Sequence, residues 1–161
     1  MNPSQAALGI GIVAASASLM EGVAWLLHRC VMHGFLWVLH EDHHRPRGGR
    51  LQKNDLFAIF FSGLSILFFA LGVPRRNVPL TATAIGVTLY GLGYFLFHDV
   101  MFHKRIKGLK LRPFSPYLRR IVRAHARHHQ KSRAHDGVSF GFLYARPDGF
   151  VEPGTPDAGA A

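Results

Sequence analysis

The sequence predicts an all-α integral membrane protein with three transmembrane helices, or four if one further short segment enters the bilayer, and a histidine-rich cytoplasmic cap. Three observations support this fold class: three long apolar stretches, basic residues gathered outside them, and histidines clustered at their ends. Of 161 residues, 48% are hydrophobic and only 17% are charged. A soluble domain of this size would carry more charge.

The three apolar stretches cover residues 6–27, 56–73 and 78–97. Each is close to the length of about 20 helical residues that spans the hydrocarbon core of a bilayer. Glu21 is the one acidic or basic residue within them, whereas a surface helix of a soluble protein would have a polar face. The first stretch is too long for a signal-peptide core and no Lys or Arg precedes it, so we expect it to be retained. Residues 34–39 would form a fourth membrane segment only by dipping into the bilayer.

The basic residues predict the orientation of these helices. The chain has 19 Lys and Arg against 9 Asp and Glu, and all of the basic residues except Arg75 and Arg76 lie within 28–54 or beyond 97. Cytoplasmic flanks are enriched in Lys and Arg, so we expect the N-terminus outside and both of those regions inside. An anionic membrane surface then accounts for the basic excess. No recognisable nucleic-acid-binding module is present, and no nucleic-acid partner is expected.

The soluble side contains one further predicted helix. Turn-rich segments occupy residues 45–50 and 112–116, and the second ends with Ser115 as a helix N-cap and Pro116 at the first helical position. The helix should continue to about residue 134, with apolar and histidine side chains on one face and arginines on the other. Beyond Pro147 the residues are mostly Pro, Gly, Ala and acids, which predicts a disordered tail over 148–161 after a single domain of residues 1–147.

Ten of the eleven histidines fall in four short windows spaced HX4H, HX2HH, HX4H and HX2HH. In order, they are His28 and His33; His40, His43 and His44; His98 and His103; and His125, His128 and His129. Positions i, i+3 and i+4 of a helix share a face, so the three rings of an HX2HH window can converge. Neutral imidazole is the commonest protein ligand of transition metals. The single cysteine, Cys30, excludes an intrachain disulfide and a thiolate zinc cluster.

The HX4H windows leave two alternatives open. Five residues on a regular α-helix rotate the second ring by about 140°, so both rings would not meet one ion. Either the two rings serve different ions, or the helix is wound more widely there, as in a π-bulge.

The predicted topology places all four windows on one side of the membrane. Ten imidazoles exceed the six ligands of one octahedral ion and suit two ions with positions left for water or oxygen. Several acidic residues are candidates for orienting imidazoles, although structural, helix-terminus or surface roles explain them equally well: Glu21, which lies seven residues before His28, and Asp42, Asp99 and Asp136. By its isolated position His135 is expected on the surface.

The four histidine boxes in this order resemble those of the membrane di-iron fatty-acid hydroxylase superfamily. Two further segments, FHDVMFHKR at residues 97–105 and HDGVSFGFLYARP at residues 135–147, resemble the bacterial beta-carotene hydroxylases more closely. The resemblance covers most of residues 20–147. It also raises His135 to a candidate for supporting a metal ligand.

The resemblance implies a chemistry. The ten histidines would hold two non-haem iron ions, with zinc as a substitute in purified samples, and O2 would be the co-substrate. The implied reaction hydroxylates carbon 3 of carotenoid β-ionone rings, from beta-carotene through beta-cryptoxanthin to zeaxanthin, with related keto-carotenoids as further candidate substrates. Reduced ferredoxin or a similar donor would supply electrons at the cytoplasmic side of the bacterial inner membrane.

The sequence is consistent with an electron supply from another protein. It contains no complete GxGxxG dinucleotide motif and no cysteine set for an iron–sulfur cluster. Four arginines of the last predicted helix could dock an acidic donor or equally hold lipid headgroups: Arg119, Arg120, Arg123 and Arg127.

Two rival functions use the same features. A fatty-acyl or sterol hydroxylase or desaturase would carry the same boxes. A metal transporter would place its ligands near the bilayer midplane, whereas these histidines lie at or beyond the ends of the apolar stretches.

Overall fold

The computed structural model describes residues 2–46, 51–130 and 138–145, and every regular element in these ranges is helical. Two segments of wider, π-helical winding continue two of the α-helices without a break. The elements in chain order are α1 (Pro3–Leu27), π1 (His28–Phe35), α2 (Trp37–His44), α3 (Asp55–Gly72), α4 (Val78–Tyr94), π2 (Phe95–Phe102) and α5 (Pro116–Gln130).

Three helices are long and apolar enough to cross a membrane. They are α1 with π1 (Pro3–Phe35), α3 (Asp55–Gly72) and α4 with π2 (Val78–Phe102). The three spans predicted from the sequence are therefore confirmed. Within the described ranges no fourth candidate span is found, because residues 34–39 form the end of π1 and the start of α2, a helix of only eight residues. No residue of α1 is buried by the rest of the chain, as expected where lipid covers the remaining surface.

Helix α4 packs against both α1 and α3. Small residues allow the backbones to approach closely, as is common between membrane helices. A Cβ atom at Gly86 of α4 would lie 1.9 Å from the Ser16 Oγ and 2.7 Å from the Val13 carbonyl oxygen of α1. On the other side, the Ser65 hydroxyl of α3 hydrogen-bonds the Thr88 hydroxyl at 2.7 Å. These contacts fix α1 and α3 on either side of α4.

The direction of the spans separates two ends of the molecule. The start of α1 and the connection between α3 and α4, which carries Arg75 and Arg76, lie at one end. The end of π1, the start of α3, the end of π2 and helix α5 lie at the other. The histidine boxes and the remaining basic residues of the described ranges share this second end, as the charge distribution predicts.

Helix α5 and residues 138–145 form the cap at that end. The Ser115 hydroxyl accepts a hydrogen bond from the Leu118 backbone N–H at 3.1 Å, which confirms the predicted N-cap. Ile121 of α5 is buried with Phe97 of π2 and Ala145. The predicted end of α5 near residue 134 and the tail over 148–161 lie outside the described residues.

The two predicted faces of α5 are present. Ile121, His125 and His128 are buried, whereas three of the four arginines are exposed on the opposite face. The exposed ones are Arg119, Arg123 and Arg127, and Arg120 is half-buried.

We predict that Gly86→Ala destabilises the helix bundle by about 1–3 kcal/mol, since the new methyl group forces α1 away from α4. The measurement is the apparent melting temperature of the purified protein in detergent. Gly63→Ala is the matched control, because a Cβ at Gly63 of α3 meets no atom within 4 Å. Equal melting temperatures for the two variants would contradict this account of the α1–α4 contact.

Candidate metal centre

The ten histidines of the four boxes gather into two groups of five. Within each group, one ring nitrogen from every residue lies within 4.8 Å of the others. We name the groups site A, formed by His28, His33, His40, His44 and His128, and site B, formed by His43, His98, His103, His125 and His129. Eight of the ten side chains are buried, and those of His103 and His129 are partly buried.

The π-helical winding explains the HX4H boxes. The His103 backbone N–H donates to the His98 carbonyl at 2.9 Å, a hydrogen bond between residues five apart. This winding brings side chains at i and i+5 close to the same face. His28 and His33 therefore both enter site A, and His98 and His103 both enter site B. Of the two alternatives left open by the sequence, the structure has the wider helix.

The HX2HH boxes divide between the sites. His40 and His44 enter site A while His43 enters site B, and His125 and His129 enter site B while His128 enters site A. The expectation that all three rings of one box converge holds only for the first and last. On a helix, position i+4 lies about 40° from position i, whereas i+3 lies about 100° from i+4 on the other side. The middle ring therefore points into the neighbouring site.

The two sites lie side by side. The His44 ring of site A stacks on the His129 ring of site B, with ring centroids 4.5 Å apart and planes 21° from parallel. Each site combines ligands from both halves of the chain. Site A draws on π1, α2 and α5, and site B draws on α2, π2 and α5.

The spacing of the ring nitrogens fits a metal ion. In site A, the Nε2 atom of His40 lies 3.1 Å from that of His28 and 3.2 Å from that of His44. In site B, the Nε2 atoms of His43 and His98 are 3.0 Å apart. Metal–nitrogen bonds of about 2.1 Å separate two ligands at a right angle by about 3.0 Å. The nitrogens thus stand at the distances of adjacent ligands around one ion.

The outer nitrogens of several of these rings are held by hydrogen-bond acceptors. Nδ1 of His40 donates to the Asn54 side-chain oxygen at 2.6 Å, and Nδ1 of His43 donates to that of Gln52 at 3.0 Å. Nδ1 of His128 donates to a backbone carbonyl, that of Val138, at 2.7 Å. A neutral imidazole protonated on Nδ1 directs the lone pair of Nε2 inward. Facing lone pairs at about 3 Å repel unless a cation lies between them, so the donor set fits one metal ion in each site.

Burial keeps these imidazoles neutral. Loss of hydration, with the neighbouring imidazole of His43, lowers the pKa of His40 from 6.5 to about 2. Loss of hydration also lowers the pKa of His43 to about 3 and that of His128 to about 4. The neutral form is the one that binds a metal, so the rings are in the ligating state at neutral pH.

Asp99, predicted as an orienting carboxylate, does contact a ring. Its Oδ1 atom accepts from Nδ1 of His98 at 3.2 Å and from Arg105 at 3.1 Å. The Arg105 guanidinium also donates to both oxygens of Asp55, at 2.6 and 2.7 Å. This ion pair ties the chain after π2 to the start of α3 and fixes the carboxylate of Asp99.

The other predicted orienting residues do not touch a histidine in the contacts of the described ranges. Glu21 lies two turns below His28 and accepts hydrogen bonds from Tyr90 and from backbone N–H groups of residues 142–144. Asp42 accepts the Lys53 backbone N–H at 2.7 Å, a structural contact at the end of α2. His135 and Asp136 lie outside the described residues.

Asn54 and Gln52 were not found by reasoning from the sequence. Both lie in the short connection between the second histidine box and α3. Asn54 is only 5% exposed. The available signal was their position, since amide side chains between a ligand box and a membrane span stand close enough to reach the imidazoles.

Comparison with known proteins identifies relatives over most of the chain. Residues 13–150 match the family described as Fatty acid hydroxylase. The "Beta-carotene hydroxylase" of Pseudescherichia vulneris is 44% identical over 84% of this chain and 76% of its own length. That of Pantoea ananas is 44% identical over 80% and 72% of the two chains, and "Beta-carotene 3-hydroxylase 1, chloroplastic" of Arabidopsis thaliana is 36% identical over 84% and 43%. No solved structure matches this chain.

We predict that the purified protein binds two metal ions per chain and that each pair of HX4H histidines supports one of them. The double variants His28→Ala/His33→Ala and His98→Ala/His103→Ala should each retain one ion, and the variant with all four changes should retain none. Metal content by mass spectrometry after loading with Fe²⁺ under nitrogen is the measurement. Gln130→Ala, an exposed change on α5, is the control. Loss of both ions from either double variant would show that the two sites are not separate.

Proposed function

Because the chain belongs to the fatty acid hydroxylase family, we propose that it is a membrane non-haem di-iron monooxygenase that hydroxylates carbon 3 of carotenoid β-ionone rings. The reaction would convert beta-carotene through beta-cryptoxanthin to zeaxanthin. One observation carries this proposal: two adjacent five-histidine sites lie at the end of an apolar cavity between the three spanning helices. The names of the bacterial and plant relatives support the choice of carotenoid over fatty-acyl or sterol substrates.

Sites A and B would each hold one iron ion. Iron in such a centre supplies the oxidising chemistry with O2 as co-substrate. The chain supplies five imidazoles per ion, which is one fewer than an octahedral ion accepts and leaves room for an exogenous ligand. Zinc would also bind, because affinity alone does not select iron at imidazole sites.

The cavity has the character of a hydrocarbon site. It encloses about 520 Å³ between α1, α3 and α4. Several polar groups on its wall are paired: the Ser65 and Thr88 hydroxyls bond each other, and Asp99 accepts from Arg105. Because most of the remaining lining is apolar, an apolar terpenoid ring fits it better than a ligand with a polar head.

Two aromatic rings stand between the cavity and the metal sites. Phe142 lines the cavity and stacks on the His28 ring of site A, with centroids 4.7 Å apart. Tyr94 also lines it and stacks on the His98 ring of site B at 4.5 Å. A substrate ring held against these two side chains would lie next to both sites, in a pocket from which it displaces water.

The electron donor would dock on the exposed face of α5. Arg119, Arg123 and Arg127 project from successive turns of this helix, directly above a helix face that carries ligands of both sites. An acidic carrier such as reduced ferredoxin complements this charge. We propose that this surface faces the cytoplasm, as the positive-inside rule favours, and that the protein lies in the bacterial inner membrane.

We predict that cells making beta-carotene accumulate beta-cryptoxanthin and zeaxanthin when they express this chain under air, and not when they express His128→Ala. The variant removes a site A ligand that is 0% exposed. Pigment extraction and chromatography are the measurement. Gln130→Ala on the same helix should behave as the intact chain.

Unchanged beta-carotene, with the intact protein folded, iron-loaded and supplied with reductant, would contradict the carotenoid assignment. Hydroxylated or desaturated acyl chains or sterols from the same cells would instead identify the rival substrate class.

We predict that Arg119→Glu/Arg123→Glu raises the KM for reduced ferredoxin about 10-fold or more at low salt while the KM for carotenoid stays unchanged. Charge reversal at a docking surface slows encounter and weakens as ionic strength rises. Steady-state kinetics in detergent are the measurement, and Arg75→Glu/Arg76→Glu at the opposite end is the control. An unchanged KM for ferredoxin, with weaker binding to anionic vesicles, would assign these arginines to lipid headgroups.

A further inference from the structure

Residues 138–145, which we call the strap, cross the cap and make three sets of contacts. Below, the strap meets the membrane helices through Glu21 of α1. Beside it, the Tyr117 hydroxyl of α5 donates to the Leu143 carbonyl. Above, two of its carbonyl oxygens accept hydrogen bonds from metal-site histidines. The strap therefore connects an acidic residue inside a span with the histidine cluster.

The carboxylate of Glu21 accepts hydrogen bonds from three consecutive backbone N–H groups of the strap. Glu21 Oε1 accepts from Phe142 at 2.9 Å, from Leu143 at 3.1 Å and from Tyr144 at 3.0 Å. Its Oε2 atom accepts from Leu143 at 3.0 Å and from the Tyr90 hydroxyl at 2.8 Å. Hydrogen bonds to an ionised acceptor are about twice as strong as neutral ones. An acid within a span is otherwise costly. The strap therefore supplies the hydrogen bonds that the carboxylate needs, and the carboxylate in turn holds the strap in place.

Glycine at position 141 permits this close approach. A Cβ atom there would lie 2.6 Å from the Tyr144 carbonyl oxygen and 2.9 Å from Glu21 Oε1. Any side chain would push the strap off the carboxylate. The segment is thus shaped to fold around Glu21.

The strap orients ligands of one site only among the hydrogen bonds of the described residues. The Phe140 carbonyl accepts from Nδ1 of His28 at 2.9 Å, and the Val138 carbonyl accepts from Nδ1 of His128 at 2.7 Å. Both histidines belong to site A. Ser139, between the two carbonyls, has a left-handed backbone with φ of 57°, which few residues adopt without a compensating contact.

Site B has separate support. Its ligands His43 and His98 donate to the side chains of Gln52 and Asp99. The strap touches site B through the ring of Phe142, whose centroid is 5.6 Å from that of His98, and this packing does not fix a ring nitrogen. Among these hydrogen bonds, the strap therefore fixes ring nitrogens of site A and none of site B.

We propose that Glu21 is a positioning residue for site A: its carboxylate holds the strap, and the strap holds the rings of His28 and His128 in their ligating orientation. Glu21 lies 121 residues before Phe142, the first strap residue that donates to it. It would act on site A through the strap, without contacting the metal. This proposal depends on the proposed function in one respect only, namely that the ion held in site A would be iron.

The test measures Co²⁺ affinity of the full chain in detergent, with one site removed at a time. The variant His98→Ala/His103→Ala leaves site A, and the variant His28→Ala/His33→Ala leaves site B. Glu21→Gln is added to each. We expect the affinity of the remaining ion to fall about 10-fold or more where site A remains, the usual cost of losing a ligand's support, and by less than about 2-fold where site B remains.

A second measurement follows the strap itself. In the metal-free protein, Glu21→Gln should accelerate hydrogen exchange of the Phe142, Leu143 and Tyr144 amides relative to the unaltered chain. Equal weakening of Co²⁺ binding in both backgrounds would overturn the proposal, because Glu21 would then support the fold as a whole. Unchanged Co²⁺ affinity at site A would overturn it as well. Neither measurement uses O2, carotenoid or ferredoxin, so failure of the proposed function would leave this result standing.

Discussion

Repulsion between facing nitrogen lone pairs is the interaction on which the rest of the structure depends. Ten imidazoles are held with their Nε2 atoms turned toward one another, at 3.0 Å for His43 and His98, and a cation between such facing lone pairs relieves their repulsion. Loss of hydration in the cap lowers the pKa values of His40 and His43 and keeps these two rings neutral. The acceptors around the cluster, such as Asn54 and Gln52, fix which nitrogen faces inward. The candidate metal centre and the cap therefore form one structural unit.

The membrane helices and the cap have different roles, and these follow from this constraint. The three spanning helices provide the apolar cavity, and the histidines begin in the last turns of two of them, so the polar cluster lies at one end of the bundle. Helix α5 lies over that edge with ligands on its inner face and arginines on its outer face. In the proposed function, a lipid-soluble substrate and a water-soluble electron donor would thus approach the two sites from opposite directions.

Features that depend on composition and period were predictable from the sequence. The three spans, the N-cap at Ser115 and the convergence of four histidine boxes at one end needed only hydropathy, local capping rules and topology. Features that depend on the relative rotation of helices were not. The HX4H spacing allowed two windings, and nothing local showed that His43 and His128 cross to the other site. The backbone N–H groups that donate to Glu21 lie more than 120 residues away from it, beyond the reach of any helix-face reasoning.

Each HX2HH box contributes ligands to both sites, and this affects when the sites can form during synthesis of the chain. Site A takes His128 from α5, and site B takes His125 and His129 from the same helix. A ribosome that has released only the three spans has therefore produced neither site. Each set of imidazoles stays incomplete until the last third of the chain emerges, and the carbonyls that orient His28 and His128 emerge later still. Neither site can therefore be completed before all three spans have been synthesised, and a chain truncated before α5 would carry histidines without a complete site.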